Sequence, residues 1–79
     1  MQEYKNIEGR STIKAYEYDD DSITVEFNAP SHSGATVYVY TRESVGDYHL
    51  SQMKTHADEG IGLLSYIDRN VRKKYAEKR

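Results

Sequence analysis

The chain of 79 residues contains no cysteine, no tryptophan and only one proline. The absence of cysteine excludes a disulfide scaffold, a thiolate metal site and a cysteine nucleophile, although it leaves the redox compartment undecided. No apolar run approaches the roughly 20 residues that a membrane-spanning helix needs. The first residues, Met1 to Lys5, lack the charged and then apolar regions of a signal peptide. We therefore expect a cytoplasmic protein without a membrane partner.

The residues that are present are typical of one small folded domain, with 37% hydrophobic and 30% charged residues. Eight tyrosines accompany a single phenylalanine, so nearly every aromatic ring carries a hydroxyl group. Charge is divided along the chain: residues 1–62 hold five Lys/Arg and eleven Asp/Glu, whereas residues 63–79 hold six and two. An anionic partner should therefore meet the last seventeen residues first.

Residues 1–10 show no regular period, which predicts a loosely ordered N-terminal segment before a single domain over residues 11–79. From Ser11 the pattern has a period of two, which is typical of a strand. This strand would place Ile13, Ala15 and Glu17 on one face and Lys14, Tyr16 and Tyr18 on the other.

Two further strands follow at short intervals. The segment 19–22 favours a turn, and Ile23, Val25 and Phe27 then alternate with polar residues in a half-buried strand. A loop is predicted over 28–34 and a third strand over 36–41. Short connections between successive strands predict an antiparallel meander.

The hydrophobic period becomes helical after Glu43. Ser44 is predicted to cap a first helix, and Gly60 is predicted to end it with a positive φ. From Leu63 apolar residues recur every four positions as far as Tyr75, which predicts a second helix. The fold class is therefore α+β, with a three-stranded antiparallel meander followed by two helices packed on one sheet face, in the order βββαα.

Short motifs in these elements resemble the KTSC domain, a small domain found at the C-terminus of some lysyl-tRNA synthetases and alone in bacterial and phage proteins. The Ile-Thr-Val-Glu-Phe strand at 23–27 and Tyr38-Val39-Tyr40 fit its two strand motifs, and four helix positions also fit: Ala57, Gly60, Ile67 and Tyr75. Ser65 departs from an asparagine expected before the last helix, and the segment 43–46 replaces a proline-containing turn. The resemblance implies this fold over most of the chain and suggests RNA binding, because of the synthetase context.

Catalytic and metal-binding chemistry finds little support in the sequence. His49 and His56 are seven residues apart, about 10.5 Å along a helix, which is too far for a shared metal ion. The acidic run 19–21 lacks the spacing of a calcium loop, and the Gly-Ile-Gly at 60–62 follows a helix rather than a strand. We therefore predict that the protein is not an enzyme and has no metal, cofactor or catalytic residues.

The tyrosines and the Lys and Arg residues near the C-terminus are the remaining candidates for a binding function. The candidate interaction residues are Tyr38, Tyr40, Arg69, Arg72, Lys73 and Lys74. One hypothesis is an RNA-binding surface of sheet tyrosines and a basic last helix. The other, favoured because the pI of about 5.9 is low for a nucleic-acid binder, is a protein-interaction module, such as an adaptor or inhibitor from a phage or mobile element. A homodimer is a further alternative, since an uncovered sheet face needs either polar side chains or a partner.

Overall fold

The computed structural model describes residues 1–29 and 34–79. Its strands are β1 Gln2–Glu3, β2 Ile13–Tyr18, β3 Ser22–Phe27, β4 Val37–Thr41 and β5 Glu77–Lys78. Its helices are α1 Arg42–Val45, α2 Asp47–Glu59 and α3 Leu63–Tyr66, the last continuing into a π-helical turn, Ile67–Val71. Most of the predicted loop over 28–34 lies outside the described residues, and so does His32.

The strands form one antiparallel sheet in which the spatial order follows the chain order from β1 to β5. The predicted α+β class, a meander followed by helices, is confirmed. The predicted count of three strands is corrected to five within the described residues, because a two-residue strand is added at each edge. Such short strands carry no alternation that a sequence pattern could reveal.

A β-bulge in β2 decides which tyrosines face the helices. Ile13 lies opposite Phe27, and Tyr16 lies opposite Val25, so the two residues of β2 between these pairs face the single residue Glu26 of β3. The extra residue reverses the alternation and places Tyr16 and Tyr18 on the same face as Ile13. The predicted faces of β2, which separated Ile13 from these tyrosines, are therefore wrong.

The core lies between this inner sheet face and the helices. Its members are at most 7% exposed and come from every part of the described chain: Tyr4, Ile13, Tyr16, Ile23, Val25, Tyr40, Val45, Leu50, Met53, Ala57, Leu63, Ile67 and Val71. On the helical side they recur at helical spacing, as the sequence predicts.

The N-terminal segment contacts both the sheet and the helical region. The backbone N–H of Tyr4 donates to the carbonyl of Lys14 at 3.0 Å, and its ring is buried beside the helices. The N–H of Ile7 donates to the carbonyl of Gly60 at 2.8 Å. Backbone hydrogen bonds and one buried aromatic ring therefore join this segment to the rest of the fold, although its sequence shows no period.

The first helical region begins earlier than predicted. Thr41 caps α1: its hydroxyl accepts from the N–H of Ser44, while its own N–H donates to Ser44 Oγ. Ser44 is thus the third helical residue of a capping box rather than the cap itself. Gly46, with φ at 89°, separates α1 from α2.

The end of α2 is as predicted. Gly60 adopts φ 73° and ψ 23°, the left-handed conformation that closes a helix, and its N–H bonds the carbonyls of His56 and Ala57. A Cβ at this position would also lie 2.5 Å from Cβ of Lys5. Gly60 is therefore required both by its φ and by the N-terminal segment against it.

The C-terminal region departs from the predicted helix. Helical structure ends with the π-helical turn at Val71, and the chain then turns and pairs with β4. The N–H of Ala76 donates to the carbonyl of Val39 at 2.7 Å, and that of Arg79 donates to Val37 at 2.8 Å. The four-residue repeat ending at Tyr75 gave the wrong boundary, because backbone pairing along β4 prevails over a continued helix.

Candidate functional site

An open groove separates the inner face of β3 and β4 from the C-terminal region, and we call it the aromatic groove. Phe27, Tyr38 and Tyr75 form its walls. Its volume is about 510 Å³, which falls within the range of roughly 300–1,000 Å³ typical of ligand pockets. The groove arises because the chain turns away after Val71 instead of covering the sheet to its end.

The three aromatic walls pack against one another. The ring centroids of Phe27 and Tyr38 are 5.6 Å apart with planes at 83°, and those of Tyr38 and Tyr75 are 5.1 Å apart at 87°. Edge-to-face pairs at these distances are attractive. All three rings are only half-buried. The walls are therefore held in place and still present apolar surface to the groove.

The floor of the groove belongs to the hydrophobic core. Tyr40 is 2% exposed, and Ile67 is 3% exposed. Burial raises the pKa of the Tyr40 hydroxyl well above its usual range, and the neighbouring charges of Tyr38 and Asp68 act in the same direction. Tyr40 is thus neutral at ordinary pH and supports the walls without exposing its ring.

The rim of the groove is positively charged. Among the described residues, Arg72, Lys73 and Lys78 line it together with a single carboxylate, Asp68, and all four side chains are exposed. Nζ of Lys78 lies 5.5 Å from the ring centroid of Tyr75, a cation–π contact that ties rim to wall. An excess of two positive charges here contrasts with the chain's net charge of −2.

The structure brings four of the six sequence-predicted residues to this groove. Tyr38 and Tyr40 supply a wall and the floor, and Arg72 and Lys73 supply the rim. Arg69 and Lys74 are exposed but do not line it. The helical structure ends at Val71, so Arg69 precedes and Lys74 follows the turn that carries Arg72 and Lys73, and the predicted cluster of cations is divided.

Among the aromatic walls and the rim cations of the groove, Phe27, Tyr75 and Lys78 were not among the predicted site residues. Phe27 and Tyr75 fitted apolar stripes and were therefore assigned to the core. Lys78 joins the site only because β5 pairs with β4, opposite Tyr38. Phe27 and Tyr75 each stand at the end of an apolar pattern, where burial is often incomplete. That position was the one sequence feature that could have marked them as partly exposed.

A second aromatic cluster, which we call the tyrosine clasp, joins β2 to α2. The hydroxyl of Tyr16 donates to Oδ1 of Asp58 at 2.8 Å, and that of Tyr18 donates to Oδ2 at 2.6 Å. The two rings stack with centroids 6.2 Å apart. Burial, followed by the bond to Asp58, raises the pKa of Tyr16 to about 12. Both carboxylate oxygens thus accept hydrogen bonds within the fold.

The two described histidines, His49 and His56, both contact Tyr66. Nδ1 of His49 is 2.6 Å from the hydroxyl of Tyr66, and the ring centroids of His56 and Tyr66 are 5.2 Å apart. In the part of the chain that the structure describes, no three His, Cys, Asp or Glu side chains come together as a metal-binding group. Likewise, none of the described helices is both long and apolar enough to cross a membrane.

Comparison of the chain with protein-family models, curated proteins and solved structures found no match. The resemblance to the KTSC domain therefore stays a prediction, and function must be argued from the residues of the groove.

Proposed function

We propose that this protein is a small non-enzymatic interaction module that binds a protein partner in the aromatic groove. The observation that carries this is the juxtaposition of half-buried rings at Phe27, Tyr38 and Tyr75 with the cations of the rim. Tyrosine and arginine are over-represented among the residues that contribute most to protein–protein binding. Aromatic rings fixed by the fold also lose little conformational freedom when a partner docks.

A catalytic role has less support because the charged groups of the groove are exposed at its rim. Acid–base catalysis needs a group held within hydrogen-bonding reach of the reacting atom. Asp68 on the π-helical turn, and Arg72 and Lys73 just beyond its end, are instead exposed to solvent. They suit recognition of charge better than proton transfer.

RNA binding is the second candidate, favoured by the cations at 72–74. Two features weigh against it. Base stacking needs an accessible ring face, whereas Tyr38 meets neighbouring rings on two sides. The remainder of the domain is acidic, with Asp58 and Glu59 exposed on α2, and would repel the phosphate chain beyond the rim.

The test is capture of partners from a lysate of the source cell, with and without nuclease, using two variants of equal charge change. Arg72→Glu/Lys73→Glu reverses the rim, and Arg69→Glu/Lys74→Glu reverses cations next to it that do not line the groove. We expect a nuclease-resistant protein to be retained by the wild type and the second variant and lost by the first. Retention of nucleic acid alone, or equal loss in both variants, would contradict the proposal.

A further inference from the structure

We infer, on the basis of the proposed function, that the groove binds an acidic peptide segment that inserts one aromatic or branched apolar side chain between Phe27 and Tyr75 and places flanking carboxylates on the rim. The inference concerns the chemistry of the partner. Three properties of the groove lead to it: the shape of its walls, the sign of its rim and the charge of the surface around it.

The walls suit a single inserted side chain. Phe27 and Tyr75 both pack edge-to-face against Tyr38, so apolar surface borders the groove on two sides. Leu64 and Ile67 extend this surface along the helical side. An inserted aromatic or branched side chain would exclude water from rings that are only half-buried, which is the main source of affinity in such contacts.

The rim selects the charge of the flanking residues. Arg72, Lys73 and Lys78 can each pair with a carboxylate, and the planar guanidinium of Arg72 can bind one through two parallel hydrogen bonds. Asp68 disfavours a carboxylate at its own position and would therefore help to set the register of the bound segment. A basic segment would face three like charges and gain only one partner.

The surface beyond the groove limits how far the negative charge can extend. The attraction is strongest at the C-terminal region that carries the rim, because the exposed carboxylates of Asp19, Asp20, Asp21, Asp58 and Glu59 lie on other parts of the same small domain. A peptide with two or three carboxylates beside its anchor satisfies the rim and ends there. A nucleic-acid chain, with a charge at every residue, would continue into repulsive surface.

Fluorescence anisotropy with labelled probes of equal length tests this. The first probe is a nine-residue peptide with a central phenylalanine flanked by aspartate and glutamate. In the second the phenylalanine is replaced by alanine, and in the third the acidic residues are replaced by lysine. The fourth is a single-stranded RNA of nine nucleotides.

We expect the first peptide to bind at least tenfold more tightly than the second and the third. Arg72→Glu/Lys73→Glu should weaken its binding at least tenfold, whereas Arg69→Glu/Lys74→Glu should change it less than threefold. Added salt should weaken binding in the wild type, whereas it should slightly strengthen the residual binding of the rim variant, because the reversed rim repels the acidic peptide and salt screens that repulsion.

Equal binding of the first three probes, or no binding of the first at millimolar concentration, would overturn the inference. RNA binding tighter than about 10⁻⁶ M at physiological salt, lost in the rim variant, would replace it with a nucleic-acid partner, since ordinary non-specific binding is weaker than this. If lysate capture still yields a rim-dependent protein while the acidic probe fails, the module binds proteins of another chemistry. The two proposals can therefore fail separately.

Discussion

The aromatic groove and the tyrosine clasp lie on the same face of one sheet and are built largely from tyrosine, yet they use it differently. In the clasp, the hydroxyls of Tyr16 and Tyr18 donate to Asp58 and join β2 to α2. In the groove, Tyr38 contacts its neighbours through its ring, and the cations stand at the rim. A tyrosine whose hydroxyl is bonded within the fold stabilises the domain, whereas one that presents its ring beside an open volume is available to a partner.

The largest expected effect is a loss of stability that is greater for the floor of the groove than for its walls. Tyr40→Ala should lower the free energy of unfolding by about 3–5 kcal/mol, as for other large aromatic side chains removed from a core. Phe27→Ala, in a half-buried wall, should cost clearly less. Chemical denaturation of both variants measures this, and equal losses would show that the walls are as much part of the core as the floor.

A second change acts on the end of α2, next to Asp58 of the clasp. Gly60→Ala places a side chain at φ 73° and brings its Cβ against Lys5, so we expect a loss of about 2–3 kcal/mol. Gly9→Ala is the matched control, because Gly9 has nearly the same φ, 72°, and nothing within 4 Å of the added atom. It should cost about 1 kcal/mol. Similar losses for both variants would contradict the close approach at Gly60.

Removing single hydroxyl groups tests the comparison directly. Tyr16→Phe breaks a hydrogen bond to a carboxylate and should destabilise the domain by about 1–2 kcal/mol. Tyr38→Phe keeps the wall ring and should change stability by less than about 0.5 kcal/mol. Thermal unfolding of the two variants provides the measurement, and the reverse order would show that the roles assigned to the two clusters are exchanged.

The ionisation of Tyr16 should have the smallest effect, because it changes the free energy of unfolding only at alkaline pH. The folded-state pKa of Tyr16 is raised to about 12 from an ordinary value of 10.0, so the folded state holds this proton more tightly than the unfolded state. The resulting stability is fully present below pH 10 and is lost as the pH rises from 10 to 12. Between pH 10 and 12, the free energy of unfolding should decrease less steeply with pH for Tyr16→Phe than for the wild type. Parallel curves would contradict the shift.

The sequence predicted the sheet-and-helix class because three strands and the first long helix have clear periods. It missed β1 and β5, which are formed by pairing at a sheet edge and leave no pattern in two residues. The sequence also did not predict the bulge in β2. The bulge turns Tyr16 toward the helices, and no residue type in the strand indicates it. The residues of the groove could be predicted in part: Tyr38 and Arg72 were selected by their chemistry, whereas Lys78 reaches the rim only through the pairing of β5 with β4.

We propose that the partner binds in the aromatic groove and not at the tyrosine clasp. Nuclear magnetic resonance titration of the labelled protein with the acidic phenylalanine peptide tests it most directly. We predict that chemical-shift changes concentrate at Tyr38, Arg72, Lys73 and Lys78, with little change at Tyr18 and Asp58. Changes centred on Tyr18 and Asp58, or on Arg69 and Lys74 without the groove, would contradict the account.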